Sequence, residues 1–397
     1  MKGIPRRSFL AACLCVGVSA SARRLEVRKA SQGKWSLSLA GLQTDGSESA
    51  VRVLEVLKAD LIRSGWFTLV SHEASLHLYG TIEAKQDLQV KVALKRASSG
   101  ERLLGRSLKG ALRTERRMAH QLADLVVEAV TGKPGMASAK IAVVGNRSGY
   151  KELYYCDIDG AHLKQVTQDK SIVVAPAWTA GGRSILYTSY KRGNPNIYQT
   201  GRANALFDFG GLNTGAALSP DGRYLAVVLS REGNPELYIQ EVSSGKLQRL
   251  TRTRSANEAS PTWSPDGSKL AYVSDRSGNP QIYILDIKRG SSERISRIGS
   301  ENVAPDWGPN GWLVYSSRQG GRYRVVIVDP QAPHTARTLP LDQADYEDPS
   351  WAPDGRHIIA SRTIAYRSAI YLLDTQEDPP IALLAGKGDW VSPACTD

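Results

Sequence analysis

The sequence predicts a mainly β protein, in which a C-terminal six-bladed β-propeller follows a small N-terminal α/β domain. The first observation behind this prediction is the phrase Pro-x-Trp-Ser-Pro-Asp-Gly, which is complete at residues 261–267. The second is its repetition at a period near 44 residues, which is typical of propeller blades. The third is the mixture of helical and strand-like apolar patterns before the repeat. The residues at the Trp position of the repeat are Trp178, Leu218, Trp263, Trp307, Trp351 and Cys395.

Each repeat is interpreted as four short strands joined by turns. In the turn at residues 264–267, proline presets φ, aspartate bonds its own backbone and glycine accepts a positive φ. A second turn recurs as Gly-Asn-Pro, for example at residues 278–280. The stretch from Lys140 supplies strands two to four of a blade, and residues 393–397 supply a strand one. We therefore expect the two pieces to pair as the sixth blade and to close the ring.

The first 22 residues have the layout of an export signal. Lys2, Arg6 and Arg7 precede an apolar stretch, and residues 20–22 read Ala-Ser-Ala, which is typical of a cleavage site. The paired arginines also resemble a twin-arginine signal, which leaves the export route open. Residues 23–32 have no clear periodicity and are expected to form a mobile leader.

Residues 33–132 are predicted to form the α/β domain, with elements in the order β-α-β-β-β-β-α. The two helical patterns stop at Gly65 and Gly132, which suit helix C-termini because glycine adopts a positive φ readily. Residues 133–139 are predicted as a linker, and residues 140–397 as the propeller.

Composition argues against several classes of protein. No apolar run reaches the roughly 18 residues that a membrane-spanning helix needs, so the chain is not expected to span a membrane. The formal net charge is +12 at pH 7. However, the basic residues between positions 91 and 117 are not interleaved with aromatic ones, which together with export argues against nucleic acid as a partner.

Removal of the signal would leave two cysteines, Cys156 and Cys395. In a closed ring they lie on strands three and one of the same blade, about 9 to 10 Å apart. A disulfide needs Cα atoms within roughly 7 Å of each other. We therefore expect two largely buried thiols that form no disulfide.

No set of reactive groups converges in the sequence, so we predict no catalytic residues and no metal centre. The six histidines do not recur at the blade period, and nucleophile-elbow, zinc-protease and phosphate-loop motifs are missing. The prediction is a protein without enzymatic activity that needs no cofactor, with a divalent cation in the propeller channel left open. The repeated tryptophans are expected to pack between adjacent blades rather than to stack on a ligand.

The loops that lead into strand one of each blade are the preferred candidate for a binding site. By propeller geometry they gather on one face near the axis, and they are rich in Asn and Glu. Two interpretations stay open, namely simple loop polarity and a docking surface for a basic or polar partner loop. The predicted partner-binding residues are Val174, Asn213, Thr214, Gly215, Asn257, Glu258, Ala259, Asn302, Val303, Glu347 and Asp348.

The combination of features resembles the TolB family, the periplasmic proteins of the Tol–Pal envelope system. It comprises the signal, the segment Ala-Asp-Leu-Ile-Arg-Ser-Gly-Trp-Phe at 59–67, the Val-Thr-Gly junction at 130–132 and the six blades. The resemblance covers essentially the whole chain. This sequence departs from the family pattern in three ways: a shortened stretch between Val70 and Leu76, Ala216 and Leu218 in place of Pro and Trp, and Cys395 in place of the last Trp.

The resemblance implies a non-enzymatic periplasmic protein with two partners. The propeller would bind Pal, a peptidoglycan-associated lipoprotein, through the loop residues named above. The leader would engage the inner-membrane protein TolA, and its predicted contacts are Arg23, Leu25, Val27 and Lys29. The implied role is in outer-membrane integrity, cell division and macromolecule import, and we expect a monomer.

Two alternatives belong to other classes of function. One is a propeller that binds carbohydrate or peptidoglycan, which exposed aromatic residues on the loop face would favour. The other is a propeller lyase, which a cluster of histidines would favour.

Overall fold

The computed structural model describes residues 33–396, and these form an α/β domain followed by a six-bladed β-propeller. The predicted fold class is therefore confirmed. The predicted signal (residues 1–22) and leader (residues 23–32, with Arg23, Leu25, Val27 and Lys29) lie outside the described residues, as does Asp397. Within residues 33–396, no helix has both the length and the apolar character needed to cross a membrane.

The α/β domain has the predicted order of elements. A five-stranded sheet has the strand order β2-β1-β3-β4-β5, in which β1 is parallel to both β2 and β3, and β4 is antiparallel to its two neighbours. The elements are β1 (Trp35–Thr44), α1 (Glu48–Arg63), β2 (Phe67–Leu69), β3 (Leu76–Ala84), β4 (Leu88–Arg96), β5 (Arg102–Gly110) and α2 (Glu115–Thr131).

Local sequence sets the ends of both helices. The hydroxyl of Ser47 accepts a hydrogen bond from the backbone N–H of Ala50 and caps α1. Gly65 follows α1 with φ of 68°, and Gly132 ends α2 with φ of 69°, a conformation that glycine adopts without strain. The apolar faces of both helices then share one core with the sheet, in which Leu57 and Leu122 are fully buried.

The propeller consists of six sheets of short strands. The blades are β9–β11, β12–β15, β16–β19, β20–β23, β24–β27 and, as the sixth, β28 with β6–β8. The strands are β6 (Lys140–Gly145), β7 (Glu152–Asp157), β8 (Lys164–Gln165), β9 (Val173–Trp178), β10 (Ile185–Arg192), β11 (Asn194–Gln199), β12 (Asn213–Leu218), β13 (Tyr224–Leu229), β14 (Glu236–Glu241), β15 (Leu247–Arg249), β16 (Glu258–Trp263), β17 (Lys269–Ser274), β18 (Gln281–Asp286), β19 (Ser291–Arg294), β20 (Asn302–Trp307), β21 (Leu313–Gln319), β22 (Arg322–Val328), β23 (Arg337–Thr338), β24 (Asp345–Trp351), β25 (His357–Ile364), β26 (Arg367–Asp374), β27 (Ile381–Leu384) and β28 (Trp390–Cys395).

The last strand closes the ring, as the repeat predicted. β28 pairs antiparallel with β6, with Cys395 opposite Ile141, and the N–H of Thr396 donates to the carbonyl of Lys140. The prediction of four strands in every blade is wrong for the first blade, which has three strands and a single bridge between Ile197 and Phe207. The fully buried ring of Phe207 occupies the core there without a regular fourth strand.

The repeated tryptophans pack between blades, as predicted. Trp263 contacts the core of the second blade, including Val228, and its indole N–H donates to the carbonyl of Ala217 at 2.9 Å. The indole N–H of Trp178 donates in the same way to Ala394 of the sixth blade at 2.9 Å. The indoles of Trp178 and Trp263 therefore each join strand one of their own blade to strand one of the preceding blade.

The two cysteines form no disulfide, as predicted. Cys156 on β7 and Cys395 on β28 lie opposite Ile141, so that β6 separates them. Cys156 is buried, which raises the pKa of its thiol to about 12, whereas Cys395 is only half-buried.

The α/β domain contacts the fifth and sixth blades through charged side chains. The guanidinium of Arg356 lies 4.5 Å from the centre of the Trp66 ring and forms an ion pair with Asp374. Arg116 of α2 forms an ion pair with Asp159 of the sixth blade. All three propeller residues lie where strand three ends or strand two begins, so the α/β domain covers that face of the ring.

Candidate functional site

The opposite face of the ring is where the predicted loops gather. Strand one begins and strand two ends at this face, since Asn213 pairs with Leu229 and Glu258 with Ser274. The connections between blades and the turns between strands two and three therefore lie together here. We call it the inter-blade face, and the α/β domain leaves it open.

The residue three positions before the Trp position has a left-handed backbone conformation in every blade. It is the third residue of strand one in five blades and the fourth residue of β24 in the fifth blade, and we call the six residues the third-residue ring. The six φ angles lie between 48° and 63°, and the pairing with strand two shifts register next to each of these residues. Proline follows in five blades and Ala216 in the second. The six residues are Ala175, Gly215, Ser260, Ala304, Asp348 and Ser392.

These six residues line an axial cavity of about 750 Å³. The rest of its lining comes from the later part of each strand one and from the turns after it, and Pro134 of the linker lies at that end. Asp306 and Asp348 are the charged residues that line it. The cavity thus extends from the third-residue ring toward the face that carries the α/β domain.

Three of the predicted partner-binding side chains are buried. Asn213, Glu258 and Asn302 occupy the first position of their strands and are at most 1% exposed. Glu258 accepts a hydrogen bond from Arg276 at 2.8 Å, and Asn302 donates one to Gln281 at 2.8 Å. These side chains hold the inter-blade loops in place, and the structure brings none of them to the surface.

The remaining predicted residues are accessible on this face. Asn257 is exposed just before β16, Gly215 and Asp348 belong to the third-residue ring, and each of the others immediately precedes a residue of that ring. These preceding residues are Val174, Thr214, Ala259, Val303 and Glu347. The prediction omits the sixth member, Val391, although its place two residues before a Pro is the same signal.

Acidic groups on this face have shifted pKa values. Burial, followed by the charge of Asp348, raises the pKa of the Glu347 carboxyl. Burial also raises the pKa of Asp348, against the effect of the Ser392 hydroxyl, which donates to its Oδ2 at 2.7 Å. The two ionised carboxylates are therefore costly to the fold and available to a cationic or hydrogen-bond-donating group of a partner.

We expect Glu347→Gln to stabilise the protein at neutral pH. A carboxyl whose folded-state pKa is raised binds protons more tightly in the folded state, so its ionisation destabilises the fold as the pH rises through that pKa. Glutamine removes this penalty. The free energy of urea unfolding, measured from pH 4 to pH 8, should show an advantage for the variant that grows with pH. An advantage that is constant with pH would contradict this explanation.

Exposed apolar residues on the inter-blade face form a further feature that sequence analysis missed. They lie in the connections between blades or in the turns between strands two and three, and Tyr366 is 97% exposed. The signal was available, since two of these turns carry Tyr where others carry Gly-Asn-Pro. The residues are Tyr150, Ile172, Phe209, Ile364 and Tyr366.

In the described part of the propeller, no histidine lies on the inter-blade face. His162 and His334 lie between strands three and four, and His357 begins a strand two, so all three belong to the other face. A group of possible metal ligands, formed by His120, Asp157 and Asp159, lies at the contact between the two domains. The geometry of the inter-blade face is thus that of a binding surface with acidic and apolar parts.

The known proteins that resemble this chain in sequence or structure include several that are named TolB. A family model described as "TolB beta propeller domain" matches residues 127–396, which is more than half of the chain. A curated relative from Desulfosudis oleivorans, named Tol-Pal system protein TolB, is 36% identical over 154 residues, which is 38% of this chain and 35% of the relative. A protein of the same name from Anaeromyxobacter dehalogenans is 28% identical over 247 residues, which is 55% of this chain and 57% of that protein. The chain thus spans between a third and three-fifths of the length of these curated relatives.

Solved structures extend the similarity to most of the chain. The crystal structure of TolB from Acinetobacter baumannii has a TM-score of 0.80 and 25% sequence identity, and the match covers 91% of this chain and 96% of that one. A putative TolB from Agrobacterium tumefaciens, at 20% identity and a TM-score of 0.50, shares the fold over 63% of this chain and 90% of its own. The relatives' names agree with the prediction of a non-enzymatic Tol–Pal component. With its propeller matched by the family model and its fold matched along most of its length, the chain belongs to the TolB family.

Proposed function

We propose that this protein is a periplasmic adaptor of the Tol–Pal system, which binds a peptidoglycan-associated lipoprotein through its inter-blade face. The leader, residues 23–32, would bind a TolA-like inner-membrane protein. In this role the protein acts as a monomer without a cofactor and supports outer-membrane integrity, cell division and macromolecule import. Membership of the TolB family supports a role in the Tol–Pal system. The features of the inter-blade face support binding of the lipoprotein.

The observation that carries the proposal is the distribution of exposed apolar side chains in the propeller. Five of them lie on the inter-blade face, whereas Val242 and Ile381 lie elsewhere. In ring order, Tyr366 belongs to the fifth blade, Tyr150 to the sixth and Phe209 to the connection from the first blade to the second. Apolar residues grouped on one open face are typical of a protein-binding surface.

The acidic part of the same face indicates the chemistry of the partner. Asn257 is exposed before strand one of the third blade, and in the fifth blade Asp348 lines the axial cavity with Glu347 just before it in the chain. Their partially buried carboxylates are better satisfied by a donor group of a partner than by each other. A partner loop with amide or basic groups at its tip and apolar residues around it would fit both parts of the face.

We expect substitutions on the inter-blade face to weaken binding of the soluble domain of a peptidoglycan-associated lipoprotein. Val303→Arg and Tyr366→Ala should each lower affinity at least tenfold in calorimetric titration. The first places a long charged side chain beside the third-residue ring, and the second removes an exposed apolar contact. Val242→Arg changes an exposed apolar residue at the other face and serves as the matched control. Equal affinity of all three variants and the parent protein would contradict the assignment of the face.

A second candidate function is binding of peptidoglycan or another carbohydrate. The exposed rings of Tyr150, Phe209 and Tyr366 on the inter-blade face favour it, because aromatic faces stack on sugars. The three rings come from different connections, however, and Arg231 already covers the Phe209 ring at 4.5 Å. Co-sedimentation with purified peptidoglycan that is lost in Tyr366→Ala, without any binding of the lipoprotein, would favour this alternative.

A further inference from the structure

A buried histidine nitrogen without a hydrogen-bond partner lies where α2 meets the sixth blade. His120 is 4% exposed, and no described residue bonds its Nε2. Its other ring nitrogen, Nδ1, lies 2.6 Å from Oδ2 of Asp60, which is 2% exposed. Buried polar side-chain atoms nearly always have a partner, so this nitrogen has the capacity to bind a water molecule or an ion.

Asp60 fixes which nitrogen of His120 is free. A carboxylate that accepts the proton of Nδ1 leaves the lone pair of a neutral imidazole on Nε2, which is the form that binds metal ions. Asp60 is itself held by Arg63, whose Nη1 lies 2.6 Å from the other carboxylate oxygen. Asp60 is thus a positioning residue that orients the ring through two charge-assisted contacts.

Two carboxylates of the propeller complete the set of ligands. Asp157 ends β7 and Asp159 lies in the turn after it. One oxygen from each aspartate and one ring nitrogen of His120 lie within 4.8 Å of one another. One imidazole and two carboxylates suit a divalent transition metal such as Zn²⁺, with a fourth position left for water.

We propose that His120, Asp157 and Asp159 form a site for a divalent transition-metal ion that joins the α/β domain to the propeller. The ligands come from two domains, and no metal-binding spacing in the sequence predicts them. A bound ion would cross-link α2 to the sixth blade beside the existing ion pairs. It would therefore stabilise the docking of the two domains as well as the fold.

Arg116 is the competitor of the metal ion at this site. Its Nη2 donates to Oδ2 of Asp159, and its Nε lies 3.8 Å from Oδ2 of Asp157 and lacks a hydrogen-bond partner among the described residues. The same carboxylates cannot neutralise the guanidinium and the metal ion equally well. Its side chain is 22% exposed, so metal binding is expected to turn Arg116 toward solvent.

The test is a titration of tag-free protein, treated with a chelator, with Zn²⁺ by calorimetry and with Co²⁺ by visible absorption. We expect one ion per chain, with Zn²⁺ raising the thermal unfolding midpoint. His120→Gln should weaken binding at least tenfold and abolish the rise in midpoint. Arg116→Gln should tighten binding, because it removes the competing charge. His334→Gln, which alters an exposed histidine remote from the site, should bind like the parent protein.

A second ligand variant keeps the test decisive if His120→Gln does not fold. Asp159→Asn changes a turn residue and should also weaken binding at least tenfold. The proposal is overturned if the parent protein shows no saturable one-to-one binding. It is equally overturned if Asp159→Asn retains the parent affinity, or if Arg116→Gln binds no more tightly than the parent.

Discussion

Arg356→Ala is expected to lower the free energy of unfolding by about 3–5 kcal/mol, because it leaves a buried carboxylate without its counter-charge. Arg356 is 5% exposed and Asp374 is 8% exposed. The Nε of Arg356 lies 3.0 Å from Oδ1 of Asp374, and Nη2 lies 2.5 Å from Oδ2, so the pair is bidentate. Urea unfolding followed by far-ultraviolet circular dichroism measures the loss.

Loss of Arg356 should also weaken the contact between the two domains. The guanidinium of Arg356 also lies over the ring of Trp66, which follows α1 in the other domain. Arg356→Ala should therefore speed proteolysis in the linker at residues 133–139, and Arg356→Lys should give an intermediate result, since lysine keeps the charge but loses the planar fork.

The control for this variant is Arg289→Ala. Arg289 pairs with Asp286 on the surface, with a side chain that is 81% exposed, and its loss should cost less than about 1 kcal/mol. If Arg356→Ala costs no more than the control, the buried pair does not stabilise the fold. Unchanged proteolysis of the linker would show that Arg356 does not hold the two domains together.

Trp263→Ala is expected to cost about 3–5 kcal/mol, because it opens a cavity between the second and third blades. Trp263 is 7% exposed and packs against the buried residues of both blades, including Val228 and Leu270. The substitution also leaves the carbonyl of Ala217 without the donor that the indole supplies. The free energy of urea unfolding is again the measurement.

Two further variants separate the causes of this effect. Trp263→Phe keeps most of the apolar volume but loses the hydrogen bond to Ala217. It should therefore cost less than half of the free energy of unfolding that Trp263→Ala costs. Val242→Ala, at a residue that is 54% exposed, should change stability by less than about 0.5 kcal/mol. A loss for Trp263→Ala that matches the Val242 control would show that the indole does not hold the blades together.

The repeat made most of the propeller predictable. A turn phrase that recurs with the period of one blade fixes the strand order, because each turn can only join antiparallel neighbours. The exception is the first blade, where residues 200–212 pair with β11 through a single bridge, Ile197 with Phe207, and form no regular strand. Strand four is the outer strand of a blade and pairs with one neighbour only, and the recurring phrase of the repeat does not include it. The sequence therefore could not show that the first blade lacks this strand.

The binding face was predictable in place but only partly in its residues. Asn213, Glu258 and Asn302 are predicted as polar loop residues, yet each begins a strand, and each side chain is buried and hydrogen-bonded to neighbouring residues. Polarity alone cannot distinguish a side chain that binds a partner from one that satisfies a buried loop. Polarity does not single out the exposed Tyr150 and Tyr366, because tyrosine is intermediate between the buried and the exposed residue types.

The architecture of this protein follows from its sequence: the period of the repeat, the pairing of its two end pieces and the separation of Cys156 from Cys395 by one strand. These follow from local turn chemistry and from counting strands, which need no knowledge of long-range contacts. Long-range contacts, by contrast, set which face the α/β domain covers and which side chains meet there, such as His120 with Asp157 and Arg356 with Trp66. Those contacts join residues distant in sequence, and their energies depend on burial and on distances of a few ångströms that a pattern of residue types does not contain.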